Sequence, residues 1–548
     1  MTRVMDKNMF QHSPPDFRVE ILGSEIEWVL TAQKKDGTAY TQEFEKKNLE
    51  KNILSECIPA DLEPQNLSCQ NPLKRFLLSG DLIYIDSGQH IETATGEGKG
   101  PLSMVIYEKR DERLMEEIIR NANKLWEKDD FYLRLFKHNM DTRGQTYGSH
   151  ENYFLPRIQG ITYPLFSLSD NLVPFLITRQ LFAGNGRVVI LKTDGKLNAT
   201  YHLSQRASRI VQLYSSSTTS ARAVINTRDE PHTDIRDEFH DLLYMRLHLI
   251  LGDSLLNQAA IFLKFGTTAM VLEMIIHEFL EKTPFGKNSD RTYLSALHNF
   301  SADSSLQTVC PFGGENMNMV DIQKFYLKRA VDFYRERRDL LTPEKQKVLS
   351  LWQEVLECAC SQNPTEALRP YVDWAAKKCW IKSDMKLHKY AWNSSLEKRI
   401  TIKQKRGVYS ADISHHLQAI DLRFHENSPR GYARILEDRG YSLRLVGADV
   451  IGKYRTVPIP ETTRICARSQ ILYRADEYAK KLGIKLGCQA DWTYVNLKYG
   501  YPTTSFNTFL KMPDPRDFKF EWKDPEITVT EKPEDAAPPN SPDITSEV

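Results

Sequence analysis

Glu25 and Glu27 stand two residues apart in Gly23-Ser24-Glu25-Ile26-Glu27-Trp28, and in a strand that spacing puts both carboxylates on one face. Two carboxylates so placed repel unless a cation sits between them, and Mg²⁺, which takes carboxylate and phosphate oxygens, is the usual one. An exposed strand face carrying two glutamates is the plainer alternative. Farther on, Tyr84, Asp86, His90, Glu92, Thr95 and Glu97 crowd into a single short run. That run reads either as metal ligands with a general base or as a polar turn between strands. The stretch Asn139–Tyr153 is polar, aromatic or glycine almost throughout, which packing does not require. In it Gly144 and Gly148 permit turns, and His150, Glu151 and Asn152 offer ligands and hydrogen-bonding groups together. Arg228, in Ile225–Asp234 with His232, is a planar fork for carboxylate or phosphate, or else pairs with Asp229 or Asp234. Trp492, in Asp491–Lys498, either stacks on a nucleotide base or fills a core.

Nucleotide motifs of the loop type are absent. No segment reads G-x-x-x-x-G-K-[ST], and Gly184-Asn185-Gly186 leads into the strand-like Val188-Val189-Ile190 instead of a helix. ATP, if bound, must be held by sheet residues and magnesium.

The elements that position these residues follow from periodicity. Alternation over Phe17–Leu22 predicts a strand, and alternation over Leu82–Ile85 predicts a second that ends at Asp86. Helical spacing predicts helices at about Arg110–Lys128, Val173–Phe182, Leu255–Phe279, Ile322–Arg338 and Pro343–Ala359. Strands dominate early and helices later, so the expected class is α+β, a mainly antiparallel sheet backed by helices. The most apolar region, Leu249–Leu280, is interrupted by Asp253, Lys264 and Glu273 and is expected to be a buried core helix, not a membrane span. Residues 1–17 are expected to be a loose extension, and 523–548, acidic and proline-rich, a disordered tail.

Composition narrows the function classes. A chain of 548 residues with 41% hydrophobic residues can bury a large core, as an enzyme does. With 73 basic against 72 acidic residues, the net charge of +1 gives no field that would draw it to nucleic acid or an anionic membrane. Its eight cysteines form no C-x-x-C pair, and the first residues lack a secretory h-region, so reduced thiols and a cytoplasmic location are expected.

Taken in order, YGSHENY (Tyr147–Tyr153), LSQRA (Leu203–Ala207), INTRDEPHTD (Ile225–Asp234), RLHLILGDS (Arg246–Ser254) and LKFGTTAMVLEM (Leu263–Met274) resemble the Pup ligase/deamidase family. Its ligase branch is known as proteasome accessory factor A. The resemblance runs from about Leu22 to Phe518 and implies a glutamine-synthetase-like catalytic domain over 18–430 with a small C-terminal domain over 431–522. It implies ATP and Mg²⁺ on the open sheet, with Glu25, Tyr84 and Glu92 as magnesium ligands, Asp86 as catalytic aspartate, and Thr95 and Trp492 as nucleotide contacts. His150, Arg228 and His232 fall in family site motifs, and Glu27 and Glu97 are further candidates. The implied reaction joins the C-terminal glutamate side chain of a Pup-like modifier to lysines of other proteins, tagging them for the proteasome, with no nucleic acid or membrane involved.

Two features favour the ligase branch over the deamidase, or depupylase. The connection from Gly23 to Asp86 is too short for the deamidase's extra loop, and Ala199–Arg206, Ser216–Thr219 and Asp491–Pro515 look closer to the ligase pattern. Ser149 instead matches the deamidase. Leu82 stands where the ligases place a nucleotide-contacting arginine, and Thr93 where they place a tyrosine, so the chain looks like a divergent member. A small-molecule γ-glutamyl ligase and a catalytically idle modifier-binding adaptor remain as alternatives.

Overall fold

A computed structural model of the chain describes residues 16–529, apart from 36–47, 70, 142–143, 158–164, 281–288, 313, 391–395, 397, 405–406, 461, 502–503, 518, 521 and 524–527. The expected N-terminal extension and acidic tail lie mostly outside these residues.

Ten strands form one sheet: β1 (Ile21–Lys34), β2 (Lys74–Phe76), β3 (Leu82–Ile85), β4 (Ile91–Ala94), β5 (Gly98–Lys99), β6 (Phe131–Phe136), β7 (Ser149–Pro156), β8 (Gln212–Ser215), β9 (Ala223–Asn226) and β10 (Tyr244–Leu249). Their order is β8-β9-β10-β7-β1-β4-β3-β2, with β5 and β6 also paired to β1. Every neighbouring pair is antiparallel except β8 with β9. This is the expected α+β build.

The long central strand β1 sets the two faces. Ser24, Ile26 and Trp28 are buried while Gly23, Glu25 and Glu27 are only half-buried, as side-chain alternation requires. Ile26 and Trp28 pack with Ile83 and Ile91 against Leu114, Met115 and Ile118 of helix α1 (Pro101–Leu125) and against Leu49 and Ile53, while the Ser24 hydroxyl donates to Glu108. Thr93 lies on this covered face, where its hydroxyl accepts the indole N–H of Trp28 at 3.1 Å.

The apolar run after β10 becomes helix α2 (Gln258–Ile276), all nineteen residues of which are buried. It is long and apolar enough to cross a membrane by composition, but here it is the core of the helical layer. Pro343–Ala359 forms a helix over the expected residues, whereas the helix expected from Arg110 begins at Pro101, a residue preorganised for a first turn. The expected Val173–Phe182 helix divides into Leu165–Thr178 and Gln180–Ala183.

The chain then returns to the open face. Helix α3 (Arg464–Leu482) and a five-stranded sheet that runs Leu67–Cys69, Leu486–Ala490, Tyr494–Tyr501, Thr504–Lys511, Thr528–Val529 cover the β2–β3 end of the main sheet. Their shared core contains Phe76, Leu82, Ala94, Ile471, Val495 and Leu497. Leu82 is thus an interface residue, 4% exposed. Val446 and Ile451, from the stretch before α3, pack into the core of the helical layer.

Candidate active site

Strand register gathers the acidic residues. Glu27 lies opposite Glu92 of β4, which lies opposite Tyr84 of β3, so the three form one row across the open face. In the next row Glu25 lies opposite Ala94 on one side and His150 of β7 on the other. Asp86 follows β3 directly, at the end of a strand as its sequence predicts. The tight turn to His90 places the His90 backbone N–H on its Oδ1 at 2.6 Å and fixes the carboxylate. Gln89 takes a left-handed φ of 65° to close that turn.

Each carboxylate has a distinct electrostatic setting. Glu25 accepts hydrogen bonds from Asn152 Nδ2 at 3.1 Å and Arg246 Nη1 at 3.2 Å, and lies 3.1 Å from His150 Nδ1 and 3.6 Å from His248 Nε2. Burial alone would raise its carboxyl, but these partners hold it well below the ordinary range. Burial pushes Glu92 up, and the charges of Glu25 and Glu27 push it further. His90 bridges Glu27, 3.1 Å from its Nδ1, and Asp86, 3.7 Å away. Burial would lower His90, but its bonds to those carboxylates outweigh that and hold it up at about 9. Asp86 is therefore ionised at neutral pH beside a protonated imidazole, its own burial penalty overcome by His90.

Two triads emerge whose ligand atoms lie within 4.8 Å of one another, Glu25–His150–His248 and Glu27–Asp86–His90. Neither ring nitrogen of the buried His248 has a hydrogen-bond partner among the described residues. Gly148 was expected to serve a turn, but its φ is unremarkable. What it supplies is space: a Cβ there would come within 2.5 Å of Glu27 Oε1 and 2.7 Å of His150 Nε2. Gly144 does adopt the left-handed turn, at φ 83°.

Beside the acidic rows an open cleft of about 540 Å³ is lined by Thr95, Glu97, His232, Arg246, Arg464 and Trp492 among others. Trp492 meets the Phe76 ring edge-on at 5.3 Å and the Arg468 guanidinium at 4.9 Å. His232 sits 6.0 Å from Trp492 in a left-handed conformation, φ 50°, and burial with Arg246 nearby pushes it down to about 3, so it is neutral. Thr95 uses its hydroxyl to accept the Ser24 amide at 3.0 Å.

Other candidates are engaged elsewhere. The Glu97 carboxylate is gripped by Arg464 at 2.5 Å and Arg468 at 3.1 Å, tying the sheet to α3 at the rim of the cleft. Arg228 is half-exposed, 3.6 Å from Glu230, while Asp229 pairs with Arg157 and Asp234 with Arg236. Glu151 lies beneath the sheet, clamped by Arg179 at 2.5 and 2.7 Å. Ser149 is also beneath it, donating to the Asp253 carbonyl at 3.2 Å. The site also includes Arg246 and His248, to which sequence reasoning assigned no role. Their two-residue spacing in β10, continuous in parity with the polar Asn152 register, is the signal that could have found them.

A large, mostly antiparallel sheet whose open face carries an acidic cluster beside a cleft defines a glutamine-synthetase-like ligase build. The family described as Pup-ligase protein matches residues 19–496, and the chain belongs to that family. Among relatives, the Pup–protein ligase of Kribbella flavida is 32% identical over 425 residues, covering 77% of this chain and 84% of the relative. That of Mycolicibacterium smegmatis is 32% identical over 429 residues, with the same coverage. Among solved structures, the complex of the ubiquitin-like protein Pup with its ligase PafA aligns with a TM-score of 0.72 at 26% identity, covering 92% of this chain and 90% of that one. The Pup ligase PafA bound to ADP aligns with a TM-score of 0.66 at 28% identity, covering 82% and 88%.

Proposed function

We propose that this chain is an ATP-dependent ligase that joins the side-chain carboxylate of a Pup-like modifier's C-terminal glutamate to lysines of other proteins, marking them for the proteasome. The observation that carries this reading is the meeting of Asp86, Glu25, Glu27 and Glu92 on one open face, next to the cleft that holds Thr95 and Trp492. The relatives that share this build are Pup–protein ligases, one solved in complex with Pup and one with ADP.

The donor set fits magnesium, because Glu92 meets no basic side chain among the described ion pairs and is pushed toward its protonated form by burial and its acidic neighbours Glu25 and Glu27. Glu25, Glu92 and Tyr84, with Glu27 adjoining, would hold Mg²⁺, which would supply charge neutralisation to ATP phosphates. Thr95 and Trp492 orient the nucleotide, the indole by stacking. Arg246 and Arg464 line the same cleft, Arg246 held by Glu25 and Glu230 and Arg464 by Glu97, and would lend positive charge to phosphate from those positions, with Leu82 supplying none.

In the first step a modifier carboxylate oxygen bonds to the γ-phosphorus and ADP leaves, giving an acyl phosphate. In the second, a lysine nitrogen bonds to the acyl carbon, phosphate leaves, and the amine proton passes to Asp86. Asp86 is suited to accept it because His90 keeps the carboxylate ionised and the turn holds it in place. The protein's contribution is positioning and electrostatics.

The test is Asp86→Asn. Isopeptide formation should fall by about 10²–10⁴ while ATP affinity is retained. Ligation at the wild-type rate would remove Asp86 from the mechanism. The free cysteines among the described residues, Cys57, Cys310, Cys358, Cys360, Cys379, Cys466 and Cys488, support a reducing, cytoplasmic setting.

A further inference from the structure

Far along the chain from the acidic rows, two helices of the backing layer converge on three ligand-type side chains. Asp384 lies in the helix Asp373–Leu387, His388 caps the C-terminus of that helix, and His416 lies in the helix Ile413–Phe424. Asp384 Oδ1 is 2.6 Å from His416 Nε2 and 3.2 Å from His388 Nδ1, and the two rings are 5.2 Å apart at 71°. We propose that Asp384, His388 and His416 bind a divalent transition cation, zinc by ligand type, that clamps the two helices together.

Several observations favour a cation here. Ligand atoms around tetrahedral zinc, at bond lengths of about 2.0 Å, lie about 3.3 Å apart; Asp384 and His388 already stand at that spacing, 3.2 Å, while His416, hydrogen-bonded to Asp384 at 2.6 Å, moves outward to admit the ion. Two imidazoles and one carboxylate form a borderline donor set that suits zinc and not magnesium. The side chains are 9–19% exposed, which leaves a path for the ion and a fourth position for water. No lysine or arginine bridges to Asp384 among the described ion pairs. The contrast is the buried triad His138–Asp421–His425, where the Lys377 ammonium already sits on Asp421 and would repel an ion.

The full-length protein, stripped with a chelator, is titrated with Zn²⁺ against a chromophoric competitor, with Mg²⁺ and ATP in excess to occupy the catalytic face. Wild type should bind one equivalent. His388→Gln and His416→Gln should each weaken it at least ~10-fold, and Asp384→Asn, which preserves volume and polarity, should do the same. His150→Gln should keep the full equivalent, placing the ion away from the Glu25–His150–His248 cluster. Co²⁺ in wild type should give the visible bands of a low-coordinate ion, and ligase activity of His388→Gln and His416→Gln should be unchanged. Equal Zn²⁺ affinity in wild type and all three ligand variants, or no binding by wild type under excess Mg²⁺, would overturn the proposal.

Discussion

Replacing Glu97 by Gln tests how the C-terminal unit is held to the catalytic sheet. The carboxylate is the joint anion of Arg464 and Arg468, all three side chains being at most 11% exposed. Arg464 also donates to the Met512 carbonyl, and Arg468 to the carbonyls of Gly80 and Trp492, so both guanidinium groups stay buried when Glu97 loses its charge. Leaving a buried charge without its partner costs about 3–5 kcal/mol. A second route gives a similar figure. Burial would raise the Glu97 carboxyl, but Arg464 and then Arg468 bring it from 4.5 down to about 2. At about 1.4 kcal/mol per pH unit, that is about 3 kcal/mol of stability. Because the folded value is depressed, this stability is complete above the unfolded value and is lost as pH falls from 4.5 through about 2. Urea unfolding followed by tryptophan fluorescence, with Trp492 against Arg468 as reporter, should show Glu97→Gln about 3 kcal/mol weaker at pH 7. The gap should close progressively below pH 4.5. A gap that stays constant down to pH 2.5, or no gap at neutral pH, refutes the assignment of the joint to this ion pair.

Other outcomes bear on the acidic face itself. Glu25→Ala should abolish magnesium-dependent nucleotide binding in calorimetry, and unchanged affinity would remove Glu25 from the metal site. Gly148→Ala forces a Cβ against Glu27 and His150, so turnover should fall at least ~10-fold with the melting temperature nearly kept, since the neighbours are side-chain tips able to move. Leu82→Ala opens a cavity between the sheet and α3 and should cost about 2–4 kcal/mol in urea unfolding. Equal stability of Leu82→Ala and wild type would show that the residue is not part of that packing.

Much of the acidic face was legible because β-strand chemistry is local. Period-two alternation alone puts Glu25 and Glu27 on one side and Ile26 and Trp28 on the other, and flanking serine-glycine pairs end β3 at Asp86. What was not legible depends on segments distant in sequence. Glu97 lies five residues past Glu92 and reads as part of the same acidic run. Yet the chain leaves β4 at Ala94, and α3, arriving from more than 360 positions away, presents Arg464 and Arg468 one helical turn apart to meet it. No local pattern announces that meeting. Gly148 shows the same limit: glycine in a polar run suggests a turn, whereas here its missing side chain lets Glu27 and His150 approach each other.

Leu82 joins these points into one argument. It shares the open face with Tyr84 by strand parity, so an arginine there would point toward the cleft. In this chain the leucine is instead buried with Phe76, Ala94 and Ile471 under α3. The guanidinium of Arg468 then stacks on Phe76 and Trp492 at 5.2 and 4.9 Å, anchored by Glu97. The apolar residue of the strand and the cation of the helix therefore meet at a single interface. On the nucleotide reading proposed above, a cation held there by a buried carboxylate against the indole sets the ring's position, so the Glu97 joint bears on the cleft as well as on the fold. Glu97→Gln should accordingly raise the KM for ATP about 10-fold even below denaturing urea. A KM unchanged in a measurably destabilised Glu97→Gln protein would separate the joint from the cleft.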